Sequence, residues 1–301
     1  MPLSIVHHPD YHAELAEGHR FPMGKFRRLA EVLVEEGLVA GPSAFVRPEE
    51  PPAEWIARAH DERYVGQIYA VEVPKAVERE IGFPITGATS RRAQLSASGT
   101  ATAGRLALVH GIAANTAGGS HHARFSGGAG FCVFNDVAVA IRALQAEGLI
   151  ERAMVIDCDV HQGDGTAEIF AADERVFTLS VHGENNYPAV KANSDLDLAL
   201  PDETGDRDYI RAVRAAVPKA LRNHRPDIVF YNAGVDPHAD DRLGRLKLSD
   251  GGLIERDRYV IDAVREAGVP LAGVIGGGYS DDLDALARRH SLLFRAAAEF
   301  V

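Results

Sequence analysis

Short apolar runs recur along the chain at 3–6, 111–116, 153–158, 176–181, 227–231 and 270–275, with stretches of helical character between them at 93–109, 137–147, 208–223 and 256–266. A strand buried on both faces reads as a near-continuous hydrophobic run, and parallel neighbours need a long crossover, usually a helix. The alternation therefore predicts an α/β protein whose parallel sheet is flanked by helices on both faces. The 301 residues, 46% hydrophobic, suffice for one large core, and no repeat, low-complexity block or linker divides them. The expectation is a single domain over 1–301, with 48–52 as a loop inside it.

Open α/β sheets build their sites at the carboxyl ends of strands. One apolar run, Ala153-Met154-Val155-Ile156, leads into Asp157-Cys158-Asp159-Val160-His161-Gln162-Gly163-Asp164-Gly165. Alternation along a strand points Asp157, Asp159 and His161 the same way. Two carboxylates and an imidazole gathered in one place need a cation or hydrogen bonds when buried, and oxygen plus nitrogen donors suit zinc or another first-row divalent ion. A catalytic zinc takes three protein ligands and keeps a position open. Asp236, which closes the run from Pro226 through Asn232-Ala233-Gly234-Val235, is the candidate for the third. A lone aspartate after a strand more often caps a helix or turn; two such strand ends together favour metal.

Two more strand ends carry polar groups, Gly118-Gly119-Ser120-His121-His122 and Gly276-Gly277-Gly278-Tyr279. Glycine runs let the backbone turn sharply and approach a ligand closely, which sets the histidine pair and the tyrosine at the same rim as the metal candidates. Each is weak singly, since paired histidines also occur in ordinary polar loops.

These segments, with Gly130-Phe131-Cys132-Val133-Phe134-Asn135-Asp136 and Asp241-Arg242-Leu243-Gly244, follow one another in an order and spacing that resembles the zinc-dependent histone deacetylase family across nearly the whole chain. Among its branches the chain most resembles class IV and the bacterial proteins like it. The resemblance implies the arginase/deacetylase fold, with Asp159, His161 and Asp236 holding one catalytic Zn2+ (Fe2+ fits the same ligands). It implies His121 and His122 as paired catalytic histidines backed by Asp157 and Asp164, and Tyr279 as donor to the substrate carbonyl. Gly130, Phe131, Gly277 and Gly278 would line the substrate, Phe131 as an aromatic wall of an acyl-lysine tunnel. A structural K+ is implied beside the strand containing Ser180. The implied reaction is removal of an acyl group, acetyl or a longer fatty chain, from the ε-amine of lysine in proteins. The alternatives are small acylated amines such as acetylpolyamines, or an acyl-lysine-binding protein without turnover.

The chain also departs from related patterns. Arginases and agmatinases carry a second pair of metal-binding aspartates where this sequence has Gly163 and Gly234, which argues against a two-metal ureohydrolase. Gln162 replaces a histidine found in many deacetylases. Arg20 follows His19 where a proline is common, so His19 is expected to shape an internal pocket or acetate exit at the foot of the site rather than to act in catalysis. The segment Glu184 to Pro188 differs from the common substrate-rim loop.

Net charge of -11 opposes nonspecific binding to nucleic acid. The cluster Lys25, Arg27 and Arg28 is expected to form one solvated helix face. No signal peptide or membrane-spanning apolar run is recognised, and Cys132 and Cys158 form no disulfide framework, so a cytoplasmic location is expected.

Overall fold

The computed structural model describes residues 2–301. Its strands are β1 (Ser4–Val6), β2 (Ile112–Asn115), β3 (Ala153–Asp157), β4 (Val176–Gly183), β5 (Leu196–Leu200), β6 (Ile228–Asn232) and β7 (Leu271–Val274). They form one seven-stranded sheet in the order β1-β2-β7-β6-β3-β4-β5. Every pairing is parallel.

Six strands fall on the predicted apolar runs. The seventh, β5, gave no such signal because it lies at the sheet edge beside β4 and is only partly buried, so Leu-Asp-Leu-Ala-Leu needs no continuous hydrophobic face. In β3 and β6 every residue is buried. Alternation sends Met154, Ile156, Val229 and Tyr231 into the apolar cluster on one face of the sheet, and Ala153, Val155, Ile228 and Phe230 into that on the other. Helices cover both.

Helix Gly87–His110 starts ahead of the predicted stretch because Thr86 caps it. The Thr89 amide donates to Thr86 Oγ1 at 3.2 Å and the Thr86 amide donates back to Thr89 Oγ1 at 2.8 Å. Its small residues let it lie deep in the molecule: a Cβ on Gly104 would stand 2.9 Å from Leu144 and 3.1 Å from Phe230.

Helices Lys25–Glu35 and Leu283–Ala298 pack against each other. The expected solvated basic face is half right. Arg28 pairs with Glu35 and Asp284 at the surface, but Lys25 is 1% exposed and its Nζ donates to Gly276 O at 3.0 Å. It turns inward because Phe21, Phe26 and Tyr279 surround its ammonium within 5.5–5.9 Å.

Strands β2, β7, β6, β3 and β4 are consecutive in the sheet. Neighbouring strands stand about 4.8 Å apart, so the five loops leaving their carboxyl ends lie side by side. These loops carry the polar clusters singled out in the sequence. Among the described residues no helix is long and apolar enough to cross a membrane, and both cysteines are buried and free.

Candidate metal centre and active site

Register places the site's base. Asp157 at the end of β3 is paired with Asn232 at the end of β6, and Asn232 Nδ2 donates to Asp157 Oδ1 at 2.9 Å. Beyond Asp157 the chain leaves the sheet, and the loop directs Asp159 and His161 toward Asp236, which follows β6. Oxygen and nitrogen atoms of these three buried side chains lie within 4.8 Å of one another. His161 Nδ1 is 3.0 Å from Asp159 Oδ1 and 3.1 Å from Asp236 Oδ2.

Electrostatics of the trio calls for a cation. Burial alone would lower His161, but the two carboxylates outweigh it and hold the imidazole up to about 10. Burial and the neighbouring Asp159 push Asp236 up to about 7, whereas Asp159, though buried, is held well below its usual range by His121 and His161. Two carboxylates this close resist ionising together. The donor set, two carboxylate oxygens and one imidazole nitrogen converging at one buried point, fits a divalent metal ion.

Further hydrogen bonds fix the donors. The Gly277 amide donates to Asp159 Oδ2 at 2.6 Å and the Val160 amide to Asp236 Oδ1 at 2.8 Å. Below them Arg256, fully buried, donates to Gly234 O at 2.7 Å and Cys158 O at 3.2 Å. Those carbonyls lie one residue before Asp159 and two before Asp236. Arg256 is neutralised by Asp257, which also accepts from Tyr231 Oη at 2.6 Å.

The histidine pair arrives on the loop after β2. Gly118 and Gly119 take φ of 90° and 81°, the left-handed region that glycine adopts without strain. Asp136 holds this loop, accepting from the Ser120 amide at 2.7 Å, the Gly119 amide at 3.2 Å and Thr100 Oγ1 at 2.6 Å. Each histidine then has its own carboxylate: His121 Nδ1 donates to Asp157 Oδ2 at 2.7 Å, and His122 Nδ1 to Asp164 Oδ1 at 2.6 Å. The two rings are nevertheless unlike. Burial opposes charge on both, but Asp157 and Asp159 carry His121 up to about 9, while burial and the neighbouring His121 push His122 down to about 4. Arg124 donates to the other oxygen of Asp164, Oδ2, at 3.0 Å.

One cavity of about 730 Å3 opens onto this cluster, with His122, His161, Gly130, Phe131, Tyr187 and Tyr279 among its walls. Phe131 has φ of 67° and is gripped by hydrogen bonds from its own amide to Ile81 O at 2.7 Å and from Gly130 N to Glu80 O at 3.0 Å. A non-glycine residue in that region is strained. Gly130 is needed for close approach, since a Cβ there would stand 2.6 Å from the His122 ring. The Tyr279 amide donates to Asp241 Oδ2 at 2.7 Å, and burial together with Asp159 and Asp236 raises its phenol, which therefore keeps its proton. Gly277 lines a second, much smaller space of about 30 Å3, together with Tyr279, Phe21, Lys25, Phe26 and Arg92. Gly278 packs below, its Cα facing Val235 and His290.

The residues expected from the sequence thus gather around one cavity or directly behind it, except Gly278, which lines neither space and is not placed to touch substrate. His19 does not fall where it was expected. It stands in the outer cavity, its Nε2 3.0 Å from Gly82 O, and the inner space is shaped by Lys25 and Arg92 instead. Sequence reading also missed Tyr187, which stands edge-on to His122 with ring centroids 4.8 Å apart. It missed Arg256 and Asp257 too, although a charged pair between Leu253 and Val260 on an otherwise apolar helix stripe was a usable signal.

The sequence pattern of the histone deacetylase domain matches residues 19–296. The chain belongs to the histone deacetylase family. It is 44% identical over 299 residues to an uncharacterized protein of Picosynechococcus, covering 99% of each chain. It is 32% identical to histone deacetylase 2 of Arabidopsis thaliana, over 87% of this chain and 70% of that one. Among solved structures, the acetylpolyamine aminohydrolase of Burkholderia pseudomallei superposes with a TM-score of 0.78 at 25% identity, covering 98% of both chains. The parallel sheet of this family member is accordingly the arginase/deacetylase fold.

Proposed function

We propose that this deacetylase-family chain is a zinc-dependent amidohydrolase that removes an acetyl group from the ε-amine of lysine in a protein or peptide. The observation that carries the reading is the pair of histidines, each on its own carboxylate and of opposite basicity, set beside the Asp159–His161–Asp236 cluster and Tyr279 at the base of one cavity.

Asp159, His161 and Asp236 would hold the ion. When bound, Zn2+ supplies Lewis acidity to an amide carbonyl and to water. The chain's own groups do the rest. His122, neutral at pH 7, accepts a proton from the attacking water, and Asp164 on Nδ1 keeps Nε2 free for it. His121, whose Nδ1 donates to Asp157 Oδ2 at 2.7 Å and whose basicity that carboxylate raises, stands ready to give a proton to the departing amine. Groups whose environments push their pKa values apart are suited to these opposite tasks. Tyr279 keeps its hydroxyl proton and donates it as a hydrogen bond to the carbonyl oxygen as negative charge develops there. The acyl carbon gains the water's oxygen, the C–N bond breaks, and the amine nitrogen leaves with a proton.

The size of the inner space supports acetyl over longer acyl groups. Lined by Tyr279, Phe21 and Phe26, the inner space of about 30 Å3 is small beside the outer cavity of about 730 Å3, and a myristoyl chain there would have to displace Phe21 and Phe26. A second reading, an amidohydrolase of acetylpolyamines, draws support from the full-length likeness to the Burkholderia enzyme. Turnover of acetyl-lysine peptides, myristoyl-lysine peptides and acetylpolyamines by the zinc-loaded protein and by Tyr279→Phe decides among them. Peptide deacetylation lost in the variant is the expected result; preference for acetylpolyamine selects the second reading. Tight peptide binding without released acetate would overturn both.

A further inference from the structure

We infer that Lys191 is a positioning residue that acts through Tyr187 to set the cavity wall beside His122. The inference deepens the function proposed above and rests on it for its kinetic readout.

The loop after β4 carries Tyr187 between Asn186 and Pro188. Lys191 Nζ donates to three carbonyls of this loop, Glu184 O at 3.1 Å, Asn186 O at 2.7 Å and Pro188 O at 2.7 Å. An ammonium has three N–H donors, and here all are spent on one short segment. Charge-assisted bonds of this kind are among the stronger ones a side chain makes. The two shortest flank Tyr187 on either side, so the ammonium fixes the backbone from which the ring projects.

The clamp is itself anchored to the metal-binding loop. Gln162, next to His161, pairs with Ala192 through both ends of its amide: Oε1 accepts from the Ala192 amide at 2.8 Å and Nε2 donates to Ala192 O at 2.9 Å. A third bond runs from Gln162 Nε2 to Asp197 Oδ1 at 2.8 Å. On the other side Asn186 Nδ2 donates to Leu243 O at 2.8 Å. Tyr187 is thereby held edge-on to His122, with an interplanar angle of 88°, in the wall of the cavity that Phe131 also lines. This gives the Gln162 substitution noted in the sequence a physical task, because a glutamine side chain offers the donor and the acceptor that match a backbone amide and carbonyl together.

Loss of the clamp frees Tyr187 and costs substrate binding more than chemistry. Lys191→Met is expected to raise KM about tenfold while kcat stays within about threefold, and Lys191→Arg to restore most of the loss. In a Tyr187→Ala background the Lys191→Met change should have no further effect, because interacting residues give non-additive cycles. Additive effects, or an unchanged KM in Lys191→Met, would overturn the inference. A readout independent of turnover separates this from the proposed function: the His122 Cε1–H resonance, assigned by its loss in His122→Asn, must move in Lys191→Met as the tyrosine ring leaves its edge. If the wild type deacetylates nothing yet the resonance moves, the clamp stands and the proposed reaction fails; a resonance that stays put refutes the clamp.

Discussion

Gly234 lies so close to Asp159 that a Cβ at Gly234 would stand 2.6 Å from Asp159 Oδ2 and 2.8 Å from its Cα. Gly163 is similar, since a Cβ there would stand 2.5 Å from Asp157 Oδ2. These are the positions where ureohydrolases carry aspartates for a second metal. In this chain a side chain at Gly234 would collide with Asp159 of the candidate metal cluster, and one at Gly163 with Asp157, the partner of His121. Gly234→Ala should lower zinc affinity about 10- to 100-fold, the cost typical of disturbing the support of a ligand. Zinc content after dialysis against a graded chelator series measures it, and an affinity equal to wild type would refute the steric argument.

Tyr279 is held by its backbone on Asp241 and kept protonated by its surroundings, and the proposed mechanism makes it a donor in the transition state. Tyr279→Phe removes one hydroxyl and little volume. On the proposed mechanism kcat falls about 100- to 1000-fold, with KM and bound zinc little changed. Steady-state kinetics with metal analysis on the same samples checks both halves.

The strands and their polar ends were legible because burial on both faces leaves an unbroken apolar signature and because each motif sits directly after such a run. Local order along the chain therefore told where Asp159, His161 and Asp236 would meet. What stayed hidden depends on partners distant in sequence. Lys25 reads as an ordinary helix-surface lysine, and only Phe21, Tyr279 and Gly276 O, brought in by the fold, turn it inward. Tyr187 stands in a loop with no periodicity to read. The contrast between His121 and His122 arises from Asp157 and Asp159, which raise the first, and from burial beside His121, which lowers the second; neither the burial nor the distant carboxylates are visible in the adjacent letters.

Arg256 supports from beneath both loops that carry Asp159 and Asp236, and its removal strands a buried carboxylate. Breaking a buried ion pair by removing one partner typically costs about 3–5 kcal/mol. Arg256→Met should destabilise the chain by that order in urea unfolding, and the double variant Arg256→Met/Asp257→Leu should recover part of the loss. A single variant as stable as wild type would show that the Gly234 and Cys158 carbonyls are held without it.

His60 gives a pH dependence located away from the metal cluster. It is fully buried and neutral, its Nδ1 donating to Arg124 O at 2.8 Å and its Nε2 accepting from the Asn135 amide at 2.9 Å. Burial pushes it down to about 4 from an ordinary 6.5. Below pH 6.5 the unfolded chain takes up a proton at this site that the folded chain refuses until pH approaches 4, so the unfolded state binds more protons across that window. Stability from this residue is therefore fully present above pH 6.5 and is lost as pH falls toward 4, by about 3 kcal/mol in all. His60→Asn keeps a donor for the Arg124 carbonyl and removes the titration. Urea unfolding of wild type and variant at pH 7.0, 5.5 and 4.5 should show the wild type losing stability faster as pH falls, and parallel curves would mean that His60 takes up its proton in the folded state as readily as in the unfolded one.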